Sequence, residues 1–134
     1  MPILHSVRDN LCKELGNILA QIPAELQIPA LVFYAFFAQN LGKDEESVRR
    51  YVRKGVPARY LMTRFPEFEQ AVIATIDDCL TDADGVGGGG IREDWEQKKE
   101  KLLIMLRAPN KKALYLEYLE AKRLVDEYPL RQFS

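Results

Sequence analysis

The chain has 134 residues, 47% of them hydrophobic, with a formal net charge of −1, two cysteines and one histidine. That length supports one domain with its own core, or a small domain with an appendage. The charge balance excludes a uniformly basic or acidic polypeptide, and two widely spaced cysteines, Cys12 and Cys79, exclude a disulfide scaffold or a multi-cysteine metal site. Both cysteines sit in helical apolar patterns, so buried free thiols in a reducing compartment are expected. The start, MPILHSVRDNL, is already charged at Arg8 and Asp9 and lacks a signal-peptide pattern. The longest apolar run, Ile28 to Ala38, is too short to span a bilayer. The expectation is a cytoplasmic protein with no membrane association.

In chain order, Leu4, Val7, Leu11, Cys12, Leu15, Ile18, Leu19 and Ile22 recur at helical spacing, and the periodicity predicts a helix over 4–21 that Pro23 ends. Pro29 suits the first turn of a second helix and Gly42 its stop. This second segment is apolar nearly all round, which predicts a central buried helix with Val32, Phe33, Phe36 and Phe37 in the core. A third helix is predicted from an Asp44 N-cap to Lys54, with Glu45 and Glu46 in its first turn and Gly55 beyond its end. A short helix over 58–64, interrupted by Pro66, and another over 67–81 follow. The stretch TDADGVGGGG then predicts a flexible linker. A phosphate-cradling glycine loop fits poorly, since no strand precedes it and no Gly-Lys-Ser/Thr follows. Beyond it, 92–107 and 110–128 read as a helical hairpin turning at Asn110. The predicted fold is therefore all-α: a bundle of about six helices, organised as a helical domain over 1–82, a linker over 83–90 and a hairpin over 91–134.

Charge is unevenly spread. Ser47 to Pro66 contains Arg49, Arg50, Arg53, Lys54, Arg59 and Arg64 with no acidic residue, and Gln97 to Lys112 contains Lys98, Lys99, Lys101, Arg107, Lys111 and Lys112 against Glu100 alone. A near-neutral chain with two such segments can still present a basic face.

The first segment, extended backwards as YAFFAQNLGKDEESVRRYVRKGVP over 34–57, resembles the helix-turn-helix of DNA-binding regulators. Ala38 matches the small residue of the first helix and Gly42 the turn glycine. Leu41, Val48 and Tyr51 match the apolar contacts between the two helices. Two helices joined by so short a turn approach closely only where a side chain is small, and the turn needs a residue tolerant of positive φ. SVRRYVRKGVP is similar to the recognition helix of the mercury-resistance-regulator family, and also to the phage-repressor or Cro-like antitoxin pattern. The resemblance implies that the second helix enters the major groove of duplex DNA. Arg49, Arg50 and Arg53 would then reach bases or phosphates, and Lys54 and Arg59 would hold the backbone. The chain departs from the pattern at Lys43, where an apolar residue is common, and at Asp44, Glu45 and Glu46, whose carboxylates would repel phosphate. The other reading of the stretch is an ordinary surface helix. Its acids and bases would complement the helix dipole and pair as Glu45–Arg49 and Glu46–Arg50.

His5 has no ligand-spaced neighbour, and Asp77, Asp78, Asp82 and Asp84 fit no calcium loop. No nucleophile has a base nearby. No catalytic residue, metal or cofactor is expected, and the chain does not read as an enzyme. Two functions remain. One is a sequence-specific DNA-binding regulator of helix-turn-helix type. The other is a non-enzymatic helical adaptor or assembly subunit of a larger complex, which could handle RNA through Lys98 to Lys112. The apolar surface of Trp95, Leu102 and Leu106 is the expected contact for a homodimer or a protein partner, with intramolecular docking of that surface as its rival.

Overall fold

The computed structural model describes residues 2–84 and 89–132, with side chains over 6–81 and 95–126. Among these residues the secondary structure is entirely helical: α1 (Pro2–Leu26), α2 (Ala30–Leu41), α3 (Glu45–Lys54), α4 (Ala58–Leu61), α5 (Phe65–Asp84) and α6 (Gly89–Gln132). The predicted linker over 83–90 is trimmed at both ends by α5 and α6, and its residues 85–88 lie outside the described residues.

Three prolines act differently from the sequence expectation. Pro23 does not end α1, which continues to Leu26. The last turn is held because Leu26 is buried, and it closes where Gln27 adopts φ 57° and the Ile28 amide donates to the Pro23 carbonyl at 3.0 Å. That closure is a left-handed helix stop made without glycine. Pro66 does not interrupt a helix but sits in the first turn of α5, where its missing N–H costs nothing. Pro109 and Asn110 do not turn a hairpin: α6 runs through them as one helix. An interior proline disfavours a helix by about 3 kcal/mol. Burial of Pro109 and donation from Asn110 Nδ2 to the Leu61 carbonyl at 2.6 Å offset that here.

The core is built from Leu15, Leu19 and Ile22 of α1, Phe33 and Phe37 of α2, Tyr60 and Leu61 of α4, Phe68 and Ile76 of α5, and Leu102 and Leu106 of α6. Rings run as a row from α2 to α3. Phe33 stacks on Phe37, Phe37 meets Phe68 edge-on at 5.3 Å, and Tyr60 links Phe68 to Tyr51 at 5.9 and 6.1 Å. Contacts of this kind add about 0.5–1.5 kcal/mol each beyond area burial. α2 is less central than its composition suggests. Phe33 and Phe37 are fully buried, but Phe36 is only partly so, and Leu31 and Val32 are exposed. The residues expected to mediate dimerisation, Trp95, Leu102 and Leu106, are buried against the chain itself, so the docked alternative holds for that surface.

α6 lies antiparallel to both α5 and α1 and is fastened by ion pairs. Lys99 reaches Asp77 at 3.0 Å, Arg107 reaches Glu69 at 2.8 Å, Lys112 reaches Glu14 at 3.2 Å, and Arg8 reaches Glu117 at 3.2 Å. Asn40 bridges α2 to α5 by donating to Thr75 Oγ1 at 3.1 Å and Asp78 Oδ2 at 3.0 Å. Cys12 and Cys79 are both buried, and neither is in a disulfide.

Candidate nucleic-acid interface

The stretch that resembles a helix-turn-helix folds as α2, a tight turn and α3. Gly42 takes φ 74°, and the Lys43 amide donates back to the Ala38 carbonyl at 2.9 Å, so the turn needs the residue that tolerates left-handed backbone. Ala38 is buried where the helices approach, and Val48 and Tyr51 are buried beneath α3. Asp44 caps α3: its Oδ1 accepts the Ser47 N–H at 2.8 Å. The Ser47 hydrogen bonds hold the Asp44 carboxyl below its ordinary pKa.

α1 completes the support. A Cβ at position 16 would overlap the Tyr51 carbonyl oxygen, so only glycine lets α1 and α3 cross this closely. Gly55, at φ 110°, ends α3 against the backbone of Cys12 and Lys13, and the Val56 amide donates to the Cys12 carbonyl at 3.1 Å. The helix is clamped between α1 and α2 with one face left outward.

That outward face carries Glu45, Glu46, Arg49, Arg50, Arg53 and Lys54, all exposed. Arg49 pairs with Glu45 at 3.6 Å, whereas the Glu46–Arg50 pair expected from spacing does not form. Arg50, Arg53 and Lys54 make no hydrogen bond or ion pair with the described residues. Arg59 is exposed on α4, its guanidinium 4.8 Å from the centre of the Tyr60 ring. Two shallow clefts border α3. One of about 430 Å³ is lined by Tyr34, Glu46, Arg49, Val52 and Arg53. The other, about 550 Å³, lies between Val32, Ala35 and Phe36 of α2 and the Lys43–Glu45 turn. Burial, then neighbouring Tyr60, raises the Tyr51 phenol above its ordinary pKa, keeping a neutral anchor under the basic surface.

The structure thus gathers Arg49, Arg50, Arg53 and Lys54 on one exposed helix face, while Arg59 stands on α4. It also adds Lys13, which packs at Gly55 and which no spacing in the sequence connects to α3. Trp95, Leu102 and Leu106 stand apart, inside the core. Among the described residues no group of three or more His, Cys, Asp or Glu is placed to hold a metal ion, and no helix is long and apolar enough to cross a membrane. The chain matches no known protein family, no curated protein and no solved structure.

Proposed function

We propose that this protein binds duplex DNA as a helix-turn-helix regulator, laying the outer face of α3 in the major groove. The observation that carries the reading is the unpaired state of Arg50, Arg53 and Lys54 on a helix whose opposite face is clamped by α1 and α2. These three cations make no hydrogen bond or ion pair with the described residues, and guanidinium forks suit phosphate oxygens and guanine edges. Of the acids at the start of α3, two are accounted for and Glu46 is left exposed without an ion pair. Asp44 is occupied as the cap and Glu45 is partly neutralised by Arg49. Lys54, Arg59 and Lys13 would hold backbone phosphates.

The test is titration with a pool of random duplexes at several salt concentrations, with sequencing of the bound fraction. The reading expects a selected sequence and steep loss of affinity as salt rises. Equal retention of all sequences, or binding indifferent to salt, counts against it.

The second reading, a helical adaptor, is favoured by one observation: the back of α6 leaves Leu114, Tyr115, Tyr118 and Val125 exposed. An RNA-handling role for Lys98 to Lys112 loses support, because Lys99, Arg107 and Lys112 are engaged with Asp77, Glu69 and Glu14.

A further inference from the structure

Of Asp44, Glu45 and Glu46, the first two are engaged within the chain. Asp44 Oδ1 accepts the Ser47 N–H at 2.8 Å, and Glu45 pairs with Arg49 at 3.6 Å. Glu46 is exposed and makes no hydrogen bond or ion pair with the described residues. Its spacing to Arg50 would permit a pair, yet none forms. Glu46 instead lines the cleft of about 430 Å³, together with Arg49, Val52 and Arg53 of its own helix and Tyr34 of α2. Positions 46, 49 and 53 share one side of α3, as helical spacing dictates. Tyr34 fixes the opposite wall, because its ring meets the fully buried Phe33 edge-on at 6.1 Å. The cleft therefore holds one unengaged acceptor among arginine donors.

We infer that Glu46 is a base-reading residue: its carboxylate accepts a hydrogen bond from the exocyclic amine of a cytosine in the major groove. The inference rests on the reading of α3 as a recognition helix, whose N-terminal residues are the ones that contact base edges in this motif. A carboxylate carried into the groove without a donor is repelled by phosphate at every sequence. The groove offers amine donors only at cytosine N4 and adenine N6. Adenine N6 stands beside N7, an acceptor that opposes the second carboxylate oxygen, whereas cytosine N4 stands beside a carbon-bound hydrogen. Cytosine is the base that Glu46 favours. Arg49 and Arg53, in the same cleft, offset the carboxylate's repulsion and supply forks for guanine edges or phosphates next to that cytosine. On this account the acid that departs from a purely basic recognition face is part of how the face discriminates.

The experiment is selection from random duplexes, with sequencing of the bound fraction, for the parent, Glu46→Gln and Glu46→Ala. Affinity is then measured for the parent's preferred duplex and for the same duplex with single cytosines replaced. Position 46 is exposed, and thermal melting verifies that each variant folds. The inference expects a cytosine at one position of the parent motif, with a loss of about tenfold or more when it is replaced. Glu46→Gln should exchange that cytosine for adenine, whose N6 and N7 suit the amide, and Glu46→Ala should take any base there. The rest of the motif should persist in both. A motif identical in the parent and both variants overturns the inference and leaves the regulator reading in place. So does a Glu46→Gln variant that tightens binding to every duplex by one common factor, the behaviour of a carboxylate that only repels phosphate. A parent that selects no sequence sinks the regulator reading itself, and this inference with it.

Discussion

In α3, Arg50, Arg53 and Lys54 stand exposed without an ion-pair partner; in α6, Lys99, Arg107 and Lys112 each reach an acid on a neighbouring helix. As sequence the two segments look alike, each a run of cations with few acids. The difference arises from what lies opposite. α6 runs antiparallel to α5 and α1, which set Asp77, Glu69 and Glu14 against its lysines and arginine. α3 shows α1 and α2 only its apolar side and turns its cations to solvent. A basic run is therefore informative about ligands only after the structure has accounted for its partners. By that criterion α3 is the candidate surface, and Lys99, Arg107 and Lys112 of α6 are fastenings.

The comparison requires α3 to be rigidly presented, and the core can break that premise. Phe37, fully buried between Phe33 and Phe68, supports the α2 side of the clamp. Phe37→Ala should cost about 3–5 kcal/mol in urea unfolding; a cost below about 1 kcal/mol would mean that α2 does not hold α3. Gly16→Val forces a branched side chain into the α1–α3 crossing and should cost about 1–3 kcal/mol or more. It should also weaken duplex binding while leaving most helix content in circular dichroism, because α3 is displaced rather than unfolded. Unchanged binding would separate α3's position from function.

The α6 side is sharpened by neutralising its fastenings. Lys99→Gln, Arg107→Gln and Lys112→Gln together should lower Tm modestly, less so at high salt, because each pair is partly exposed and screened. Duplex affinity should stay within about twofold of the parent; a loss as large as that from the α3 cations would erase the distinction. The smallest effect concerns the α3 cap. Hydrogen bonds from Ser47 hold the Asp44 carboxyl below its ordinary value of 3.8, so its contribution is complete above that value and lost as pH falls through the lower folded pKa. Asp44→Ala should thus be slightly less stable than the parent at neutral pH, and the difference should shrink in acid. A difference independent of pH would mean that the carboxylate is not the cap.

Much of this was legible in the chain. Gly42, Ala38 and Asp44 announced the α2–turn–α3 unit because each answers a local backbone demand: positive φ, close approach, and an orphan amide. The apolar period of α1 was equally plain. Prolines misled where tertiary contact outweighed local preference. Pro23 and Pro109 lie inside helices because the turns beyond them are held by buried neighbours and, at Asn110, by a hydrogen bond to Leu61. Trp95, Leu102 and Leu106 were readable as an apolar surface but not as one facing its own chain, since a stripe does not name its cover. Lys13 was illegible altogether, because only the crossing at Gly16 and Gly55 brings it to α3.

The central claim is that the free cations of α3, and not the paired ones of α6, contact nucleic acid. The most direct test compares the salt dependence of duplex binding for the parent and for Arg50→Ala, Arg53→Ala, Lys54→Ala combined, with folding verified by thermal melting. The slope of log affinity against log salt changes by about 0.9 for each phosphate contact removed. The account predicts an unchanged melt, a loss of affinity of about a hundredfold or more, and a slope reduced by about 2–3. A triple variant that melts like the parent and binds with the same affinity and slope would contradict it.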